Sequence, residues 1–223
     1  PHFSDNVRVR YEGFILNHSI FDSAVTPVDF DLTSLIPAWR KVLPEFNTAA
    51  SFIDGGDGTV DYIDHGLGVM FVPSGLAYFN SAQSGIPSYA SIAFKFDLIQ
   101  TTISDHDNDG IPSHIEDING DGEVFDDNTD GDFNPATGQP LSNYIDTDDD
   151  GDGVLTINEL ERKTYIVDTN AMEEEPVLDD KIEFEIERSE EAGIITIKTL
   201  KIIDTNNNMI GDYLDADITI SYN

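Results

Sequence analysis

The sequence predicts an α+β fold in two parts: an antiparallel sheet curled around one short helix, then a segment of acidic loops that ends in a β-hairpin. Three observations carry this reading. Up to about residue 100, short apolar runs of strand character flank a single amphipathic helical pattern. Between Lys95 and Arg162 the chain holds no lysine or arginine. Beyond that gap, two apolar-alternating runs are joined by a short connection containing glycine.

In the first part, "VRVRYEGFIL" and "SIAFKFDLI" have the period-two or continuous apolar character of strands with one or both faces buried. "LTSLIPAWRKVLPEF" predicts the helix: Thr33 or Ser34 caps it, Pro37 suits a first helical position, and Trp39, Val42 and Leu43 share a face. One amphipathic helix among strands implies a sheet wrapped on a helix. In "NTAASFIDGGDGTVDYIDHG" the central "DGGDG" reads as a turn. The acidic stretch is too long and too charged to share this core, which places a boundary at residues 102 to 104 and domains at 1–102 and 103–223. Within the second, "INELERK" reads as the start of a helix. "KIEFEIER" sets Ile182, Phe184 and Ile186 on one face, and with "GIITIKTLKII" it predicts a hairpin over 181–203.

The chain has 223 residues, 39% of them hydrophobic, ample for a core. A net charge of -33, from 44 acidic and 11 basic residues, repels nucleic acid and anionic lipid. The same charge opposes compaction unless cations offset it, which points to divalent metal. With no cysteine, disulfides and thiolate metal sites are excluded. No apolar stretch approaches the roughly 20 residues of a membrane span. The chain begins at Pro1, and we read it as a processed or trimmed fragment whose targeting segment, with any lipoprotein-type membrane anchor, precedes that residue.

Calcium takes about 6 to 8 oxygens, and a 12-residue loop supplies most of them from positions 1, 3, 5, 7 and 12, with glycine at 6. One complete register runs Asp148, Asp150, Asp152, Gly153, the Val154 carbonyl and Glu159. Another runs Asp105, Asp107, Asp109, Gly110, the Ile111 carbonyl and Glu116. Two others are incomplete. Asp117, Asn119, Asp121 and Glu123 surround Gly122 but reach Asn128 at position 12, and Asp126, Asn128 and Asp130 precede Gly131 but run out at Thr137. Their oxygens are read as shared between neighbouring ions, with Asp146 a further ligand. A C-terminal copy uses Asp204, Asn206, Asn208, the Ile210 carbonyl and Asp215; it has lost two carboxylates and carries Met209 in place of the glycine, which should weaken it. Magnesium is the poorer candidate because it resists dehydration.

These loops resemble the calcium-binding repeats of thrombospondin type 3 modules and EF-hand-like bacterial domains, over residues 105 to 160 and again 204 to 215. The resemblance implies several structural calcium ions and an extracytoplasmic location, the periplasm or outer surface of a bacterium, where calcium is abundant.

In the first part, no nucleophile elbow or phosphate loop is present, and His2, His18 and His65 lie apart. Four separated motifs stand out instead: "VRVRYEGFILNHSIFDSA", "FDLTSLIPAWRKVLPEF", "MFVPSGLAYF" and "GIPSYASIAFKFDLI". In this order, over residues 7 to 100, they resemble the FK506-binding-protein (FKBP) type of peptidyl-prolyl cis-trans isomerase. The resemblance implies an FKBP-like antiparallel sheet curled over one short helix, and a pocket with Trp39 as its floor. Tyr11, Phe21, Phe30, Leu35, Ile36 and Phe94 would line the walls, Asp22 would be the pocket carboxylate, and Tyr78 with the Ile86 backbone would bond the substrate carbonyls. Departures accompany it: "AYF" at 77–79 replaces the usual Ala-Tyr-Gly, the chain between Trp39 and Pro73 is longer than usual, the loop "NSAQSG" before Ile86 is short and lacks the family's common histidine, and the family's first strand is not found before Val7.

The resulting expectation is an isomerase of X-Pro bonds in polypeptides that needs no cofactor for the reaction, joined to a calcium-stabilised domain and acting as a folding catalyst or chaperone. The competing expectation is a non-catalytic calcium-binding surface or peptide-binding protein on the same scaffold.

Overall fold

In the computed structural model, which describes residues 1–222, strand β1 (Asn6–Ile15) buries Val7 and Val9 on one face and leaves Arg8 and Glu12 toward the other. It lies between β2 (Ile20–Asp31) and the long apolar strand β6 (Ile92–Thr102), and β5 (Gly66–Val72) pairs with the far side of β6. The sheet order is β2-β1-β6-β5, with every pairing antiparallel. A separate hairpin of β3 (Ser51–Asp54) and β4 (Val60–Ile63) carries "DGGDG" at its tip. Asp54 and Asp57 close that turn by accepting the amides of Gly56 and Thr59.

The helix is shorter than the sequence suggests. Helix α1 is Pro37–Val42, and Asp31, rather than Thr33 or Ser34, acts as a cap, on a separate 3-10 turn at Leu32–Ser34. The reason is Pro37: the residue before a proline is disfavoured from the helical region. Ile36 accordingly sits at φ −60°, ψ 149°. Pro44 limits the other end, since it has no amide to bond back to Arg40, and the chain tightens into a 3-10 turn at Leu43–Glu45.

Trp39 and Leu43 pack with Val9, Met70, Phe94, Phe96 and Leu98 of the sheet in one core. Each such side chain contributes about 1.5–3 kcal/mol on burial.

The chain divides into two compact units, Pro1–Ser104 and Asp105–Asn223. In the second, β7 (Glu161–Asp168), β8 (Glu183–Glu191) and β9 (Ile194–Lys201) form a sheet of order β7-β9-β8. The β8–β9 hairpin turns on Ala192 and Gly193, at φ 51° and 81°, the left-handed pair that a two-residue connection requires. A bulge between Glu185 and Glu187 breaks the alternation, so Phe184 is buried while Ile186 is exposed. The expected helix at "INELERK" does not form. A single 3-10 turn at Thr156–Asn158 leads into β7, because "ERKTYIVD" pairs along its whole length with β9, and tertiary pairing overrides a short helical pattern.

Residues 105–160 contain no paired strand longer than the Phe133–Pro140 bridge and bury few apolar side chains, chiefly Ile111, Val124 and Leu160. Their interior is acidic: Asp109, Glu116, Asp127, Asp146, Asp149, Asp150 and Glu159 are all buried.

Gly13 tests the packing of the first unit. A Cβ there would meet Phe21 Cζ at 2.6 Å and Phe94 Cε1 at 2.7 Å. Gly13→Ala should therefore destabilise the first unit by about 1–3 kcal/mol in urea titration, the usual cost of overpacking. An unchanged midpoint would show that both rings can yield.

Candidate functional site

Trp39 lies at the third position of α1 and is 4% exposed. Its ring meets Phe94 of β6 at 4.9 Å between centroids and the edge of Tyr11 at 6.0 Å. Tyr11 also contacts Phe30 at 5.6 Å, and Phe21 sets its edge against Phe94 at 5.5 Å. Leu35, Ile36, Tyr78 and Ile86 pack on the same cluster. The structure thus gathers every apolar side chain of the candidate pocket from four distant stretches of chain. Leu35, at φ −99° and ψ 168°, and Ile36, which Pro37 keeps out of the helical region, are both extended just before the helix.

Asp22 stands at the exposed edge of this cluster. Tyr11 donates its hydroxyl to Asp22 Oδ2 at 2.6 Å, and the Ser23 amide donates to Oδ1 at 2.9 Å. Burial, then the bond to Asp22, pushes the Tyr11 hydroxyl well above its ordinary pKa. The Tyr78 hydroxyl is raised by burial and then by the Asp22 charge, so the two phenols stay protonated and flank one carboxylate. Ile86 does not present a free amide. Its N–H donates to the Gln83 carbonyl at 3.0 Å and its carbonyl accepts from Gln83 at 2.9 Å, so a substrate carbonyl would have to share or displace that bond.

Phe79, which replaces the glycine of the usual Ala-Tyr-Gly, adopts φ 48°, and Tyr89 adopts φ 61°. Their exposed rings meet edge to face at 5.2 Å, and the Tyr89 amide donates to the Phe79 carbonyl at 2.6 Å. Sequence reasoning missed this pair. Backbone held in the left-handed region by non-glycine residues is sparsely populated and tends to mark binding loops.

In the second unit a recurring loop conformation places the acidic residues. In the 105 loop the position-1 carboxylate accepts the amides of Asn108 and Gly110, Asp107 accepts from Asp109, and Asp109 accepts from Ile111. The 117 and 148 loops repeat the pattern. Glycine at position 6 follows from φ 96° at Gly110 and 93° at Gly153.

The same bonds correct one register. Gly131 donates to Asn128 and Asp132 to Asp130, so that loop begins at Asn128, not at Asp126. Asp126 is exposed, whereas its unnoticed neighbour Asp127 is buried and accepts the Asn119 amide beside Asp117. Asp132, also missed, gathers with Asp130 and Asp146. Asp121 and Glu123 stay in the 117 loop, where Asp121 accepts the Glu123 amide.

Carboxylates of Asp105, Asp107 and Asp109 form one potential ligand group and those of Asp148, Asp150 and Asp152 another, the oxygens of each lying within 4.8 Å of one another. Both carboxylate oxygens of Glu116 and of Glu159, at position 12 of the two complete registers, are buried without a hydrogen-bond partner. So are single oxygens of Asp107, Asp109, Asp148, Asp150 and Asp152. Sealed, unpartnered carboxylates in this number fit a hard cation with an oxygen shell. The C-terminal copy differs. Asn206 and Asn208 donate their side-chain amides to Asp215 Oδ2 at 2.9 and 2.8 Å, so this loop closes on its own hydrogen bonds. Met209 takes φ 71° there, at the position that the complete loops give to glycine.

Comparison with known proteins places these features beside two groups. Residues 106–185 match the family described as BamM C-terminal, a span short of half the chain. The chain is 31% identical over 101 residues to the FKBP-type peptidyl-prolyl cis-trans isomerase FkpA of Buchnera aphidicola subsp. Baizongia pistaciae, covering 44% of this chain and 34% of that protein. It is 25% identical over 104 residues to the FKBP-type 22 kDa peptidyl-prolyl cis-trans isomerase of Escherichia coli K12, covering 45% and 43%. It therefore spans less than half the length of either relative. Among solved structures, a peptidyl-prolyl cis-trans isomerase from Pseudomonas syringae pv. tomato and FkpA from Escherichia coli each align with a TM-score of 0.37 at 25% identity, over 46% of this chain and over 65% and 42% of theirs. The chain is thus similar in sequence to FKBP-type peptidyl-prolyl isomerases, at low identity. Among the described residues no helix is long and apolar enough to cross a membrane.

The acidic sites have a pH signature. Burial, reinforced by neighbouring carboxylates, pushes Glu116 up to about 11, Asp149 to about 10 and Glu159 to about 9. In chelator, a folded state with raised carboxyl pKa values holds more protons than the unfolded chain, so stability falls as pH rises from about 5 toward 9. The urea midpoint of the chelated second unit should climb steadily on acidification from pH 9 to 6. A flat profile, or the opposite slope, would contradict the burial of these groups.

Proposed function

We propose that the first unit is an FKBP-type peptidyl-prolyl cis-trans isomerase, and that the second is a calcium-stabilised module. The observation that carries the first part is the convergence on Trp39 of Tyr11, Phe21, Phe30, Leu35, Ile36, Tyr78, Ile86 and Phe94, with Asp22 hydrogen-bonded at the edge. Similarity to proteins named as FKBP-type isomerases supports it.

The chemistry needs no nucleophile. The X-Pro bond resists rotation by roughly 18–20 kcal/mol because amide resonance places charge on oxygen and nitrogen. An apolar cavity disfavours that planar, charge-separated form and accommodates the twisted amide, whose oxygen and nitrogen carry less charge. In this reading Trp39 and Phe94 hold the proline ring. Tyr78 donates to a substrate carbonyl, and the carboxylate of Asp22, fixed by Tyr11, faces the twisted amide. No bond forms or breaks, so the isomerisation itself requires no cofactor.

Calcium in the second unit follows from its chemistry: hard oxygen donors at the spacing of a 12-residue loop, sealed with unpartnered oxygens. Sites of this kind fill permanently where calcium is abundant, which favours action outside the cytoplasm on proline-containing polypeptides. The second reading, a peptide-binding protein without catalysis, draws on the Ile86 amide, which is already engaged with Gln83.

A protease-coupled assay on X-Pro peptides separates the two. Wild type should accelerate isomerisation, and Trp39→Ala and Asp22→Ala should each lower kcat/KM by roughly tenfold or more, which corresponds to about 1.4 kcal/mol of transition-state stabilisation. Absence of activity in a folded wild type would leave the binding reading.

A further inference from the structure

Asp149 has no place in the loop register. It is the second residue of the loop that begins at Asp148, a position that supplies no ligand in the 12-residue scheme. Yet it is 1% exposed, and both of its carboxylate oxygens lack a hydrogen-bond partner. Its potential ligand atom groups with those of Asp109 and Glu116 of the other complete loop, all within 4.8 Å, and not with Asp148, Asp150 and Asp152. Glu116 is 0% exposed with both oxygens unpartnered, and Asp109 is 1% exposed with one.

Three sealed carboxylates at this separation repel one another unless a positive charge lies between them. The protein does not supply it: no lysine or arginine occurs between Lys95 and Arg162, and none of the ion pairs among the described residues involves these three acids. Asp105, Asp107, Asp109, the Ile111 carbonyl and Glu116 leave room in a shell of about 6 to 8 oxygens for one more ligand.

We propose that Asp149 is a calcium ligand donated by the second complete loop to the ion of the first, so that the two sites share one segment of backbone. This rests on the calcium reading above and adds a consequence to it. Residues 148 to 152 then serve both ions at once: Asp148, Asp150 and Asp152 turn to their own ion while Asp149 turns to its neighbour's. Filling the second loop fixes the backbone that carries Asp149 and so tightens the first site. By linkage, filling the first site tightens the second equally.

Calorimetric titration of the chelated full chain with calcium tests this, using Glu116→Gln and Glu159→Gln to mark the two sites. Asp149→Asn should weaken the site marked by Glu116→Gln by roughly tenfold or more, because it removes a ligand charge. In wild type, Glu159→Gln should weaken both sites, whereas in the Asp149→Asn background its effect on the first site should vanish. Should Asp149→Asn alter the far-UV circular dichroism of the loaded protein, a calcium-loaded crystal structure of wild type decides, with an Asp149 oxygen expected about 2.3–2.6 Å from the ion of the 105 loop. Two sites filled in wild type and unchanged by Asp149→Asn, or an ion of the 105 loop without Asp149 in its shell, would overturn this proposal alone. A wild type that takes up no calcium would overturn it together with the calcium reading on which it rests.

Discussion

Glu116, Asp149 and Glu159 are sealed from solvent, and none of their six carboxylate oxygens has a hydrogen-bond partner. An isolated buried carboxylate costs several kcal/mol, and adjacent like charges add to that cost. Residues 105–160 have little else to hold them: few apolar side chains, single 3-10 turns and one short bridge. Their conformation depends on what neutralises the acids. In the proposed reading a divalent cation would satisfy the oxygens, cancel the repulsion and tie distant parts of the chain together, the part that a hydrophobic core takes elsewhere.

The first unit is organised by the opposite physics. Its sheet and helix close on an aromatic cluster, and the few polar groups at the edge, the Tyr11 hydroxyl and Asp22, are bonded to each other. Local rules position the site. Pro37 starts the helix and holds Ile36 extended, Gly13 lets the Phe21 and Phe94 rings meet, and the bulges in β1 pairing let the sheet curl. In the proposed reading such a pocket would act by excluding water from an amide, a step that calls for no nucleophile.

What the sequence revealed and what it hid divide along the range of the interactions. Spacing of Asp or Asn at 1, 3 and 5 with glycine at 6 is a local property of one loop, and the loop conformation at Asp105, Asp117 and Asp148 follows it. Asp127, Asp132 and Asp149 escaped because their neighbours come from other stretches of chain, and nothing in a single loop announces such a partner. The Asn128 register was missed because Asp126 offers the same alternation two residues early; only the backbone bonds of Gly131 and Asp132 distinguish them. Strand β7 was hidden for a related reason, since its pairing with β9 lies about 30 residues away in sequence. In the first unit the order of four motifs made the aromatic convergence legible, whereas the engaged Ile86 amide and the strained Phe79–Tyr89 pair depend on loop conformations that residue types alone do not encode.

The claim that cations hold the second unit together is tested most directly by hydrogen exchange of the full chain, read by mass spectrometry with calcium and with chelator. Chelation should strip protection from residues 105–160, where the amides of Gly110, Ile111, Gly153 and Val154 bond to the acidic side chains, and should leave β1 and β6 protected. Equal protection of residues 105–160 in both conditions would contradict it.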